Sequence, residues 1–158
     1  MEKERTMEVA GRVVGVQKKT QWTHLALHIR DLDRSIAFYT DFTPLKKIHE
    51  RYDEVTRMRT AWLSDRPEGR ETEFVLVLIE GDPPMIEDAH PQQPIAPVSH
   101  LGFSVESREE VDRIAERARA AGILRFGPTY LDDVVGYICI IADPDGHQLE
   151  FSYGQVLG

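Results

Sequence analysis

The feature that most constrains this chain is an internal repeat. Residues 23–29, T-H-L-A-L-H-I, lie over residues 99–105, S-H-L-G-F-S-V, and set His24 on His100 at an offset of 100 − 24 = 76. In the first run Leu25, Leu27 and Ile29 alternate with His24, Ala26 and His28. In the second, Leu101, Phe103 and Val105 alternate with His100, Gly102 and Ser104. A period of two is that of a half-buried strand with its histidines on the more polar face. A helix is predicted after each strand. Asp31 suits an N-cap before Leu32, Ile36 and Tyr39, and Pro44 ends that stretch. Ser107 to Glu110 is a capping box ahead of Val111, Ile114, Ala115 and Ala118, with Gly122 as the stop. Three strand-like runs then follow in each half, over 46–52, 56–63 and 73–80 and over 124–130, 135–142 and 148–153. Arg66-Pro67-Glu68-Gly69 and Asp143-Pro144-Asp145-Gly146 mark tight turns between the last two runs of each half. A repeat of this length is a duplicated β-α-β-β-β unit in which each half helps cover the other's apolar face. The prediction is therefore an α+β protein with one domain over 21–158: module one at 21–80, a linker at 81–97 and module two at 98–153.

The linker reading rests on five prolines within G-D-P-P-M-I-E-D-A-H-P-Q-Q-P-I-A-P. Residues 1–20 mix charges with glycines, and Val13-Val14 is too short to anchor a strong strand, so this arm is expected to be a solvated tail. Nineteen basic residues against 27 acidic leave a net charge of −8, a sign that opposes a phosphate backbone and argues against nucleic acid as a partner. The single cysteine, Cys139, excludes a disulfide framework and an all-cysteine zinc site within one chain. No apolar run approaches the ~20 residues of a membrane span, and no apolar signal core follows the first residues. A cytoplasmic location is expected.

The chemistry concentrates at three positions. His24 and His100 take equivalent places in the two halves, on the face away from the Leu, Phe and Val positions that meet the helices. Glu150 lies between Leu149 and Phe151 and points the same way. The same alignment lays Val75-Leu76-Val77-Leu78 over Gln148-Leu149-Glu150-Phe151, so Val77 holds the place of Glu150 in module one. One strand histidine is ordinarily structural. A second at the duplicated position, with a carboxylate that would be costly to bury alone, favours a divalent metal with positions left open. His28 and Tyr137 are candidate acid or base groups. Arg57 and Arg59, flanking Met58, are candidates to bind a substrate carboxylate or enolate oxygen. Trp62 and Phe103, with Trp22 and Tyr137, are stacking candidates, and Val77 would line the pocket. An ordinary structural role competes for each of these. Cys139 is expected to be a core residue and His147 to be exposed at the turn, while His49 and His90 have no supporting pattern.

The succession H-L-A-L-H-I-R-D-L-D-R-S-I-A-F-Y, then S-H-L-G-F-S-V, then D-P-D-G-H-Q-L-E-F resembles the vicinal oxygen chelate superfamily, over residues 21–153. This is the group of glyoxalase I, bleomycin and fosfomycin resistance proteins and extradiol dioxygenases. The resemblance implies paired βαβββ modules whose curved mixed sheet encloses a metal-binding cavity, and a homodimer. It implies one divalent ion, Fe, Mn, Ni or Zn, on His24, His100 and Glu150. The family's second ligand, a glutamate in glyoxalase I, falls on Val77, so the glyoxalase set is incomplete. The extradiol signature has a tyrosine where Ile140 stands and a histidine somewhat earlier, and Leu131 to Tyr137 contains none. A threonine of the fosfomycin transferases is replaced by Ala26. The expected function is a metal-dependent, dioxygenase-like enzyme acting on a small substrate chelated through vicinal oxygens. The alternatives are a glyoxalase-like lyase or isomerase and a non-enzymatic protein that sequesters a small molecule.

Overall fold

The computed structural model describes residues 22–54, 57–66, 74–81 and 99–156, together with the backbone of 7–9 and 12–14. The first two strands, β1 (Met7–Val9) and β2 (Arg12–Val14), form an antiparallel pair with Met7 opposite Val14. The N-terminal arm thus holds a short hairpin where the sequence suggested only a tail.

Module one runs β3 (His24–Ile29), α1 (Leu32–Phe42), β4 (Lys46–Asp53), β5 (Met58–Ser64) and β6 (Val75–Glu80). Module two runs β7 (Leu101–Ser104), α2 (Arg108–Ala120), β8 (Leu124–Tyr130), β9 (Tyr137–Ala142) and β10 (Gln148–Tyr153). The sheets have the same order, β3-β6-β5-β4 and β7-β10-β9-β8. In each, the first strand pairs in parallel with the last, and the other neighbours are antiparallel. A parallel pair cannot be closed by a tight turn, so the helix and two strands between them form the crossover. The predicted linker, 82–97 beyond Gly81, lies outside the described residues.

Local sequence sets the helix ends. The Asp31 carboxylate accepts the Arg34 N–H at 2.9 Å, and the Ser107 hydroxyl accepts the Glu110 N–H at 3.2 Å. At the end of α2 the Gly122 N–H donates to Arg119 O and the Ile123 N–H to Ala118 O, with Gly122 at φ +72°. Such a double closure needs a left-handed residue, which glycine adopts without strain.

Strand parity divides each sheet into a helix face and an open face. Leu27, Ile29, Ala61, Leu63 and Leu78 meet α1; Cys139, Ile141, Leu149 and Phe151 meet α2; together they belong to one continuous core. The modules are joined by the β9–β10 turn. The Tyr39 hydroxyl on α1 donates to Asp143 at 2.9 Å, the Arg30 N–H donates to Asp145 at 3.1 Å, and His147 Nε2 lies 3.4 Å from His28 O. Arg117 of α2 bridges to Asp41 at 2.6 Å and lies over the Phe42 ring. His147 is therefore buried, 4% exposed, and not at the surface as expected; its own N–H donates to Asp143 at 2.8 Å. The turn faces the other module rather than solvent.

Candidate metal centre

On the open face of the second sheet, Glu150 pairs across the ladder with Gly102, and His100 immediately precedes β7. The His100 Nε2 and Glu150 Oε2 atoms are 3.4 Å apart, with side-chain exposures of 35% and 6%. A carboxylate so enclosed must be met by polar partners, because its desolvation is otherwise uncompensated. Gly102 has no side chain to cover it, and a methyl group built there would touch nothing within 4 Å. A further partner, silent in the alternation pattern, is Gln155: its Nε2 donates to Glu150 Oε1 at 3.4 Å, and its Oε1 accepts from the Ser152 hydroxyl at 3.3 Å.

The first sheet repeats the register with different residues. Val77 pairs with Ala26, as Glu150 does with Gly102. Val77 is buried on the open face, and Trp62 is its neighbour on β5. His24 opens β3, exposed, with Nδ1 3.0 Å from the Thr23 hydroxyl. His28 shares that face, but four strand rises put it about 13 Å from His24. It is half-buried with Nδ1 2.9 Å from Gly81 O, at the end of β3 that meets the other module. No three His, Cys, Asp or Glu side chains converge as a metal would need among the described residues of the single chain. The fold thus brings His100 and Glu150 together and leaves His24 on the other sheet.

Several candidates turn out to face the helices. Tyr137 donates from its hydroxyl to Asp112 at 2.7 Å, beneath Arg108, and that hydrogen bond holds its pKa above the ordinary phenol value. Its parity with Cys139, which burial pushes up to about 12, places both on the α2 side. Phe103 stacks on Phe151 with ring centroids 5.5 Å apart and packs against the core. Arg59 is held by Asp33 and Glu50, both at 2.9 Å, with Glu80 at 3.9 Å. Its guanidinium belongs to the helix face of module one and not to a substrate pocket. Arg57, at φ 57°, is exposed in the turn before β5. Trp62 does stand on the open face, 39% exposed, with its ring 5.1 Å from that of His49. Trp22 is exposed beside Phe74. His90 lies outside the described residues.

Two βαβββ units with matched registers and open faces define the class: a protein built by duplication around paired four-stranded mixed sheets. The chain belongs to the Glyoxalase/Bleomycin resistance protein/Dioxygenase superfamily, which it matches over residues 21–151. It is 41% identical over 138 residues to an uncharacterised protein of Pseudomonas aeruginosa, PA2024, covering 86% of this chain and 90% of that one. Among solved structures it is similar to the fosfomycin resistance protein FosX of Listeria monocytogenes in complex with Mn(II) and 1S,2S-dihydroxypropylphosphonic acid. That match has a TM-score of 0.63 and 21% identity, over 88% of this chain and 95% of the other. The trypanothione-dependent glyoxalase I of Leishmania major matches with a TM-score of 0.60 and 22% identity, over 86% and 88% of the two chains. These likenesses show the fold. No helix among the described residues is long and apolar enough to cross a membrane.

Proposed function

We propose that this protein is a metal-dependent, dioxygenase-like enzyme that takes a small substrate through two neighbouring oxygens. His100 and Glu150 of one chain and His24 of a second chain would hold one divalent ion between them. The observation that carries this reading is the enclosed Glu150 carboxylate facing an imidazole at 3.4 Å. An imidazole nitrogen and a carboxylate oxygen suit Fe, Mn, Ni and Zn alike, so the donor set fits such an ion without choosing among them. When bound, the ion would supply Lewis-acid stabilisation of a developing oxyanion and, as iron, redox chemistry. Around it the chain contributes mainly shape. Ile138, Ile140 and Phe126 share the open face with Glu150, an apolar floor that would exclude water from a chelated substrate. With Tyr137 turned to Asp112, the floor of this sheet holds no phenol to serve as acid or base.

In the homodimer we propose, His24 of one chain would reach the site of the other. Strand β3 meets its own second module at the His28 end, so His24 stands about 13 Å farther along, at the free end. FosX, with Mn(II), is a structural relative consistent with a divalent site. A cytoplasmic location accords with this reading. The exposed Trp62 beside His49 favours a second reading, a protein that sequesters an aromatic ligand without turnover.

Mixed dimers test the assignment. His24→Ala and Glu150→Gln chains, each reconstituted alone with Fe, Mn, Ni or Zn salts, should bind no metal at micromolar concentration. A heterodimer of the two should recover one site of two, because one of its sites pairs an intact His24 with an intact Glu150. No recovery would remove the shared-site reading, and a monomer in sedimentation would do the same. Oxygen uptake with catechols, run beside hydroxy-ketones and thiohemiacetals, tests the reaction. Tight ligand binding with no turnover of any of them by the reconstituted protein would favour sequestration.

A further inference from the structure

We propose that Gln155 is the positioning residue for Glu150: its side-chain amide fixes one carboxylate oxygen so that only the other, turned toward His100, is presented as a donor. The inference rests on reading His100 and Glu150 as metal ligands, and adds to it a residue beyond the last strand.

Backbone geometry puts Gln155 in place. Strand β10 ends at Tyr153, and Gly154, at φ +80°, bends the chain out of the strand. The Val156 N–H then donates to Val134 O at 2.9 Å, which ties the segment beyond the bend to the loop before β9. In that loop Gly136, at φ +82°, approaches so closely that a Cβ would stand 2.3 Å from Tyr153 O and 3.1 Å from Gln155 N. Two glycines in conformations that other residues rarely adopt thus return a polar side chain to the open face.

The hydrogen bonds then set which end of the amide meets the carboxylate. Glu150 and Ser152 are two apart on β10 and share a face, and Gln155 spans them. The Ser152 hydroxyl is a donor to Gln155 Oε1 at 3.3 Å, with Phe103 O a longer alternative at 3.5 Å. With the carbonyl end so engaged, Nε2 is the end that meets Glu150 Oε1. Glu150 Oε2 remains on the His100 side. A neutral amide suits this place. A lysine or arginine would also orient the carboxylate, but would cancel the charge that a dication requires.

Groups that orient a ligand in this way ordinarily cost 10–100-fold in metal affinity when removed. Titration calorimetry with Mn(II) or Zn(II) on full-length wild type, Glu150→Gln, Gln155→Ala and Gln155→Met provides the test. Methionine keeps the length and packing of glutamine and lacks the amide, so it separates hydrogen bonding from space filling. Both Gln155 variants should bind metal about 10–100-fold more weakly than wild type, and both should melt lower without metal, because the enclosed Glu150 carboxylate loses a hydrogen-bond donor. Wild-type affinity in both Gln155 variants, beside a metal-dead Glu150→Gln, would overturn the positioning role and leave the ligand assignment standing. A Gln155→Met affinity equal to wild type, with only Gln155→Ala weakened, would assign the residue to packing and overturn the proposal. Wild type that binds neither ion would overturn both readings.

Discussion

The two modules have one strand order and one register, and they differ in what those positions carry. Opposite the small residue of the first strand, module one has Val77 and module two has Glu150. The difference extends one pleat further. Two residues on, Ile79 takes the place held by Ser152, so the last strand of module one has no hydroxyl at that position. Duplication therefore conserved the backbone that aims a side chain and left the chemistry to be decided position by position. In module two a carboxylate and its polar support occur together. In module one both are absent, and Trp62 and His49 form an aromatic wall instead. On the proposed reading, the carboxylate-bearing face would hold the metal and the aromatic face the body of a substrate.

The strongest way to break this comparison is to make the modules alike. Glu150→Val gives module two the residue of module one, and metal binding should fall by well over the ~100-fold upper range of losing an orienting partner. The converse, Val77→Glu, places an uncompensated carboxylate on the buried side of Trp62. It should cost roughly 3–5 kcal/mol in the metal-free protein. Added zinc or nickel should recover that loss by mass action if the new carboxylate becomes a ligand. Calorimetric binding isotherms and melting curves of both variants, with and without metal, are the readouts.

Matched core positions sharpen the comparison at the level of folding. The register that sets Val77 on Glu150 also sets Leu78 on Phe151, both fully enclosed. Phe151→Ala should cost about 3–5 kcal/mol and Leu78→Ala about 2–5 kcal/mol. Because the apolar cores are continuous, each substitution should lower one shared transition. Two separated denaturation steps in either variant would show that the halves fold independently.

The contact between modules comes next in size. Tyr39→Phe removes the donor to Asp143 and leaves a buried acceptor short of one partner, at a cost of about 1–3 kcal/mol. Asp143→Asn should cost less at neutral pH. An asparagine can still accept from the Asp145 and His147 N–H groups, and burial already holds the Asp143 carboxyl above its ordinary pKa. The sign follows from that direction. A carboxyl whose folded pKa is raised favours its protonated form, so wild type should gain on the asparagine variant as pH falls and lose ground as pH rises. A pH-independent difference in denaturation midpoint would contradict this account.

What the sequence made legible was the periodic part. Alternation placed nearly every strand, and the two short alignments placed Val77 opposite the right neighbour. The misplaced side chains have specific causes. Tyr137 and Phe103 already shared parity with helix-facing residues, so reading them into the cavity set chemical type above position. His49 could not be read at all: a bulge between Lys47 and His49 inserts one residue and turns His49 to the face of Trp62. His147 is buried because its turn meets the other module, a tertiary contact that no local pattern encodes. Gln155 lies beyond the last alternating residue, where the bend at Gly154 breaks the strand's alternation. His24 is the hardest case, since a duplicated sequence reveals equivalent positions and not which copies of them meet.

The smallest expected effect lies in the ion network that module one alone carries on its helix face. Arg59 binds Asp33 and Glu50; its hydrogen bond holds the Asp33 carboxyl below its ordinary pKa, while hydrogen bonds from Lys47 first and Arg59 second hold Glu50 below its own. A depressed carboxyl contributes stability above its unfolded pKa, near 4, and the contribution is lost as pH falls through the lower folded value. Arg59→Gln should therefore leave wild type slightly ahead at neutral pH, with the two denaturation midpoints converging as pH falls below the unfolded carboxyl pKa of about 4. Glu50 should keep part of its shift through Lys47, so the Asp33 resonance should move further than that of Glu50 in a carboxyl NMR titration. High salt should shrink the neutral-pH gap, because exposed pairs are screened within about a Debye length. Module two has no counterpart of this network among its described residues: its ion pairs on α2 join Arg113 to Glu110 and Arg119 to Glu116 along one helix surface. Arg113→Gln should consequently leave the acid limb of the stability profile nearly where it was, and an equal shift in both variants would remove the distinction between the modules' surfaces.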